Sequence, residues 1–114
     1  MDIEKIQKEL CQKYGALFFP LDLNVKLGIA DDFFSEKLPL NGLRIPPGGS
    51  TCGWFLWAGE EMSQNDDYFK PLHVIHLIEK YPKALKYLGL PPGWRFLFAG
   101  DYEDAWLDEK LLNG

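Results

Sequence analysis

Two stretches constrain this chain more than any other part of it. One is Gly53-Trp54-Phe55-Leu56-Trp57-Ala58-Gly59-Glu60; the other, forty residues later, is Gly93-Trp94-Arg95-Phe96-Leu97-Phe98-Ala99-Gly100-Asp101. Each is a short apolar run, rich in aromatics, with glycine at both ends. Runs of this length and composition read as strands with both faces covered. In the first, Trp54 and Leu56 share one face while Phe55 and Trp57 share the other. The second carries an extra residue, Arg95. One inserted residue sends every later side chain to the opposite face. The two phrases are therefore expected to be similar core strands rather than copies of one repeated unit.

The flanking segments supply the other elements. Asp2 to Tyr14 reads as a helix: Ile3, Ile6, Leu10 and Tyr14 recur at spacings of three and four, Asp2 can cap its start and Gly15 its end. Leu23 to Leu27 alternates like a strand. Leu38 to Ile45 is a second strand candidate, with Asn41-Gly42 expected as a tight turn inside it. Pro46-Pro47-Gly48-Gly49-Ser50 is a loop. Pro71 to Lys80 predicts a helix with Pro71 in its first turn and Leu72, Ile75, Leu77 and Ile78 as its buried stripe. A helical turn from Pro82 to Tyr87 is expected to close at Gly89. Gly100-Asp101 is a turn, Glu103 to Leu107 a returning strand, and Asp108 to Leu112 a last helical turn. This order predicts a single α+β domain over residues 1–114, its mainly antiparallel sheet packed with an N-terminal helix and a central helix.

Composition narrows the functions. The chain has 114 residues, 46% of them apolar, and a formal charge of −5. That sign disfavours nucleic-acid binding, which draws on cationic groups to displace counterions from phosphates. No apolar run approaches membrane-spanning length, the N-terminus lacks a leader pattern, and the two cysteines suit a reducing, cytoplasmic setting. Nine of the seventeen carboxylates fall in 60–67 and 101–109: Glu60, Glu61, Asp66, Asp67, Asp101, Glu103, Asp104, Asp108 and Glu109. If the two aromatic strands leave the sheet at the same edge, these acids form one rim; if they run oppositely, the acids divide between two edges.

Catalytic constellations are thin. Cys52 with His73 or His76 would make a thiol pair, and the two histidines, three apart on the expected helix, could contribute to a metal site. A nucleophilic thiol needs a lowered pKa and a metal three or four ligands, and no motif supplies either. No metal or cofactor is expected. Arg44 and Arg95 sit singly beside apolar residues and are each expected to pair with a carboxylate.

The runs GGSTCGWFLWAGE, DDYFKPLHVIHL and YLGLPPGWRFLFAGDYEDAWLDE, between Gly48 and Glu109, resemble the bacterial polymorphic-toxin immunity proteins of family thirty-three and their relatives (Imm33-like), over roughly the C-terminal half. The resemblance implies a non-enzymatic α+β protein whose partner is a cognate toxin. Occlusion of a basic active site by an acidic, aromatic-bearing surface would follow. On that reading the partner-binding residues are Glu60, Glu61, Asp66, Asp67, Asp101, Glu103, Asp104 and Trp106, with Trp54 and Trp57 held in the core. Two other readings remain open: a small enzyme using Cys52 with His73 or His76, and a homodimeric module joined through an unpaired edge strand.

Overall fold

The computed structural model describes residues 2–35, 37–48, 51–59 and 68–112. The fold is α+β. A six-stranded sheet runs in the order β4-β1-β3-β2-β5-β6. Its strands are β1 (Lys26–Ala30), β2 (Leu40–Arg44), β3 (Thr51–Ala58), β4 (Phe69–His73), β5 (Trp94–Ala99) and β6 (Tyr102–Leu107). Helices α1 (Ile3–Tyr14) and α2 (Val74–Lys80) pack on one side of it with a 3-10 segment, Pro82–Tyr87. The β1–β3 pairing is parallel; β1–β4, β2–β3, β2–β5 and β5–β6 are antiparallel.

The start of the chain folds as its pattern requires. The Asp2 carboxylate accepts a hydrogen bond from the Lys5 amide at 3.0 Å, and Gly15 adopts φ +73° to return its amide to the last turn of α1. Such a cap is worth about 1 kcal/mol. Leu10 and Cys11 bury one face of α1 against the sheet.

The aromatic strand β3 lies inside the sheet between β1 and β2, which is why it needs apolar side chains on both faces. Trp54, Leu56 and Ala58 enter the main core under the helices. Trp57 joins Ala30 and Leu43 in a smaller cluster on the other face, with Phe55, Tyr68, Phe69 and Leu111 against it. In β5 the inserted Arg95 has the expected effect: Phe96 and Phe98 enter the main core, whereas Phe55, the counterpart of Phe96, faces away from it. Trp54 meets Phe96 edge-to-face at 5.4 Å, and Tyr87 stacks on Phe96 at 4.5 Å. Pairs of this kind add about 0.5–1.5 kcal/mol each beyond the area they bury.

Four local expectations are corrected. The strand expected at Leu23 to Leu27 lies instead at Lys26–Ala30, because the carbonyls of Leu23 and Val25 accept from Ile75 and Val74 at the start of α2 rather than joining the ladder. Asn41-Gly42 is not a turn but the middle of β2. The Asn41 amide donates to the carbonyls of Pro39 and Gly59, and a Cβ at Gly42 would lie 2.2 Å from the Phe96 ring, so glycine serves close packing there. Pro71 is paired with Gly28 in the edge strand β4, where a missing N–H is tolerated, and α2 begins only at Val74. Gly89 does not close the 82–87 segment with a left-handed residue; its role is also clearance, since a Cβ would meet Gln7 at 2.8 Å.

Candidate functional site

β3 and β5 both run antiparallel to β2, so they run in the same direction and leave the sheet at the same edge. Of the two arrangements open to the acids, the sheet therefore has the one that brings Gly59 and Gly100 to a common side. Glu60, Glu61, Asp66 and Asp67 lie outside the described residues. The remaining acids cluster on and around β6, at the opposite margin of the sheet from β4.

Alternation along β6 divides them. Ala105 is in the main core, so Glu103, Ala105 and Leu107 face the helices, while Tyr102, Asp104 and Trp106 face the other way. Glu103 and Asp104 consequently do not share a face. Asp101 is exposed in the β5–β6 turn and Tyr102 beside it is 62% exposed. Asp104 makes no ion pair among the described residues; its Oδ1 accepts from the Ala105 amide at 2.9 Å. Trp106 is half-buried, with the Arg95 guanidinium 5.9 Å from its ring. Arg95 also donates to Asp108 at 3.2 Å, the carboxylate pairing expected of it.

Glu103 has a different environment. Its Oε2 accepts from Lys13 Nζ at 2.8 Å and from the Tyr14 hydroxyl at 2.9 Å. Its Oε1 accepts from Lys86 Nζ at 2.8 Å and from the Tyr87 hydroxyl at 2.9 Å. Burial pushes this carboxyl upward, but the four donors outweigh burial and hold it at about 2. The Tyr14 hydroxyl is correspondingly pushed up to about 12 by burial and by donating to the carboxylate. Glu103 thus ties β6 to α1 and to the 82–87 segment. Nothing in the sequence flags this, because its partners lie as far as ninety residues away and no short motif joins them. Beside it, a cavity of about 400 Å³ opens between α1 and the β5–β6 turn, with Leu85 and Phe98 in its wall and Lys83 and Asp101 at its rim.

The catalytic alternatives are not brought together. Cys52 is buried in the main core, and its burial pushes the thiol pKa up, opposite to the need of a nucleophile. His73 and His76 are exposed, their rings 5.7 Å apart, and neither hydrogen-bonds to Cys52. Among the described residues no group of three or more His, Cys, Asp or Glu side chains could hold a metal ion. No helix among them is long and apolar enough to cross a membrane. Arg44 departs from expectation. It is buried without a carboxylate, donating instead to the carbonyls of Cys52 at 3.0 Å and Leu90 at 2.8 Å, with the Phe19 ring 4.6 Å from its guanidinium.

The sheet is mixed, with helices packed on one side of it and acids and aromatics on its β6 margin. The chain belongs to the Imm33-like domain family, an immunity-protein family, whose model matches residues 6–108. The match extends the resemblance seen between Gly48 and Glu109 back through β2 and β1 into α1. No curated protein and no solved structure matches the chain.

Proposed function

We propose that this chain is a non-enzymatic, cytoplasmic immunity protein that binds a cognate bacterial toxin and neutralises it by covering a basic active site. The carrying observation is family membership, joined to the chemistry of the β6 margin. Asp101 and Asp104 make no ion pair among the described residues and stand beside Tyr102 and Trp106, so their charge and aromatic area are available to a partner. Acids placed this way steer a basic protein inward, and aromatics on the same surface anchor it. Glu60, Glu61, Asp66 and Asp67, which lie outside the described residues, belong to the proposed partner-binding set on the sequence resemblance alone. Glu103 contributes by holding β6 in place, its carboxylate being committed to four internal donors.

The test is charge reversal against a toxin domain sought in the reading frames beside this chain's gene. Asp101→Lys combined with Asp104→Lys is expected to weaken binding at least about tenfold, while the thermal midpoint stays within about 2 °C of wild type. Undiminished affinity in that variant would remove the acidic surface from the account.

A further inference from the structure

The sheet has two edges, and they are not equivalent. β4 contains Pro71, which has no N–H to offer, and it runs directly into α2. These features blunt an edge against further pairing. β6 contains no proline and ends at the exposed Leu107.

The phase of the β5–β6 ladder fixes which groups of β6 face away from β5. Asp108 donates to Gly93 at 2.7 Å. With the register Trp106↔Arg95, Asp104↔Leu97 and Tyr102↔Ala99, those pairs exchange the ladder bonds. The N–H and C=O groups of Glu103, Ala105 and Leu107 therefore point away from the sheet. The Ala105 amide agrees with this phase, since it donates to Asp104 Oδ1 at 2.9 Å rather than to β5; an added strand displaces that carboxylate, whereas no such bond caps the amides of Glu103 and Leu107 among the described residues. No other segment among the described residues pairs with this edge.

Side chains state what could be added there. A strand laid beside β6 would meet Tyr102, Asp104 and Trp106 on one face and Ala105 and Leu107, with the already occupied Glu103, on the other. The first set suits cations, through the Asp104 carboxylate and the two aromatic rings. The second suits apolar residues. A second copy of this chain offers no cation to this edge: in two antiparallel β6 strands centred on Ala105, each Asp104 would lie opposite Trp106 with the two carboxylates diagonal on one face, and β6 itself carries no Lys or Arg.

We propose that β6 is a docking edge that accepts, as a seventh strand, an extended segment of the partner in which cationic and apolar residues alternate. This rests on the reading of the chain as an immunity protein that binds a toxin. Backbone pairing supplies adhesion, and alternate side chains supply selectivity.

Amide exchange measured by nuclear magnetic resonance tests it in two arms. The first probe is a capped ten-residue peptide alternating lysine and valine. The amides of Glu103, Ala105 and Leu107 are expected to shift and to exchange at least about tenfold more slowly. A peptide of the same composition in two blocks is expected to leave them unprotected. Leu107→Pro, at an exposed site whose N–H is not in the ladder, is expected to abolish protection, and Asp104→Lys to weaken it at least about fivefold. Equal effects from both peptides, shifts confined to other strands, or unchanged exchange at these amides would overturn the proposal. Concentration-dependent protection without peptide would assign the edge to a second copy and also overturn it. The second probe is a toxin domain sought in the reading frames beside this chain's gene. Binding without protection of these amides would leave the immunity reading standing and sink the edge; absence of binding would sink the reading, and the peptide arm would still decide the edge.

Discussion

Replacing Glu103 by glutamine keeps the shape of the side chain and removes its charge. The carboxyl is held at about 2 against an ordinary 4.5, which corresponds to about 3 kcal/mol of preference for the ionised form in the folded protein. Part of that is recovered in the variant, because Lys13 and Lys86 are 60% and 41% exposed and can turn to water. The Tyr87 ring is buried and its hydroxyl has no such freedom. We therefore expect Glu103→Gln to cost about 2–3 kcal/mol at neutral pH, lowering the thermal midpoint of a chain this size by about 8–12 °C. Urea unfolding followed by tryptophan fluorescence reads the difference directly. The pH dependence supplies the sign. A carboxyl depressed on folding stabilises fully above its unfolded value and loses that contribution as pH falls through its folded one. The gap between wild type and variant should therefore be complete above about pH 5 and shrink towards pH 2. A variant within about 0.5 kcal/mol of wild type at neutral pH, or a gap unchanged by acid, would refute the assignment of Glu103 as the tie between β6 and the helices.

Two other outcomes check the packing. Gly42→Ala should destabilise by about 1–3 kcal/mol, read by the same urea titration, because its Cβ would lie 2.2 Å from the Phe96 ring and 2.8 Å from Leu56. Cys11 and Cys52, both buried with thiol pKa values pushed up by burial, should react with a thiol reagent only at the rate of global unfolding, whereas rapid labelling of Cys52 in the native protein would revive a nucleophilic role.

Much of the fold is legible in the sequence wherever local chemistry and burial agree. α1 carries its stripe and both its caps in adjacent residues, and β3 and β5 announce themselves by apolar runs between glycines. The inserted Arg95 even gives the relative facing of Phe55 and Phe96. What the sequence conceals is set by distant partners. Asn41-Gly42 has turn chemistry, but Phe96 and the Gly59 carbonyl, brought in from other strands, hold it in β2. Pro71 suits a helix start and an edge strand equally, and β1 decides between them. Arg44 resembles half of an ion pair until the carbonyls of Cys52 and Leu90 converge on it. At the β6 margin, sequence order places Glu103 and Asp104 together, and strand alternation separates them. Asp101, Asp104 and Trp106 stand outside the Glu103 network, while Glu103 is engaged from within by residues that no spacing rule connects to it.

The most direct measurement is neutralisation. A toxin domain sought in the reading frames beside this chain's gene is assayed for its activity while the purified chain is titrated in. The account predicts complete loss of toxin activity near one equivalent, with Asp101→Lys/Asp104→Lys requiring at least about tenfold more protein. Full toxin activity in the presence of excess folded chain would contradict it.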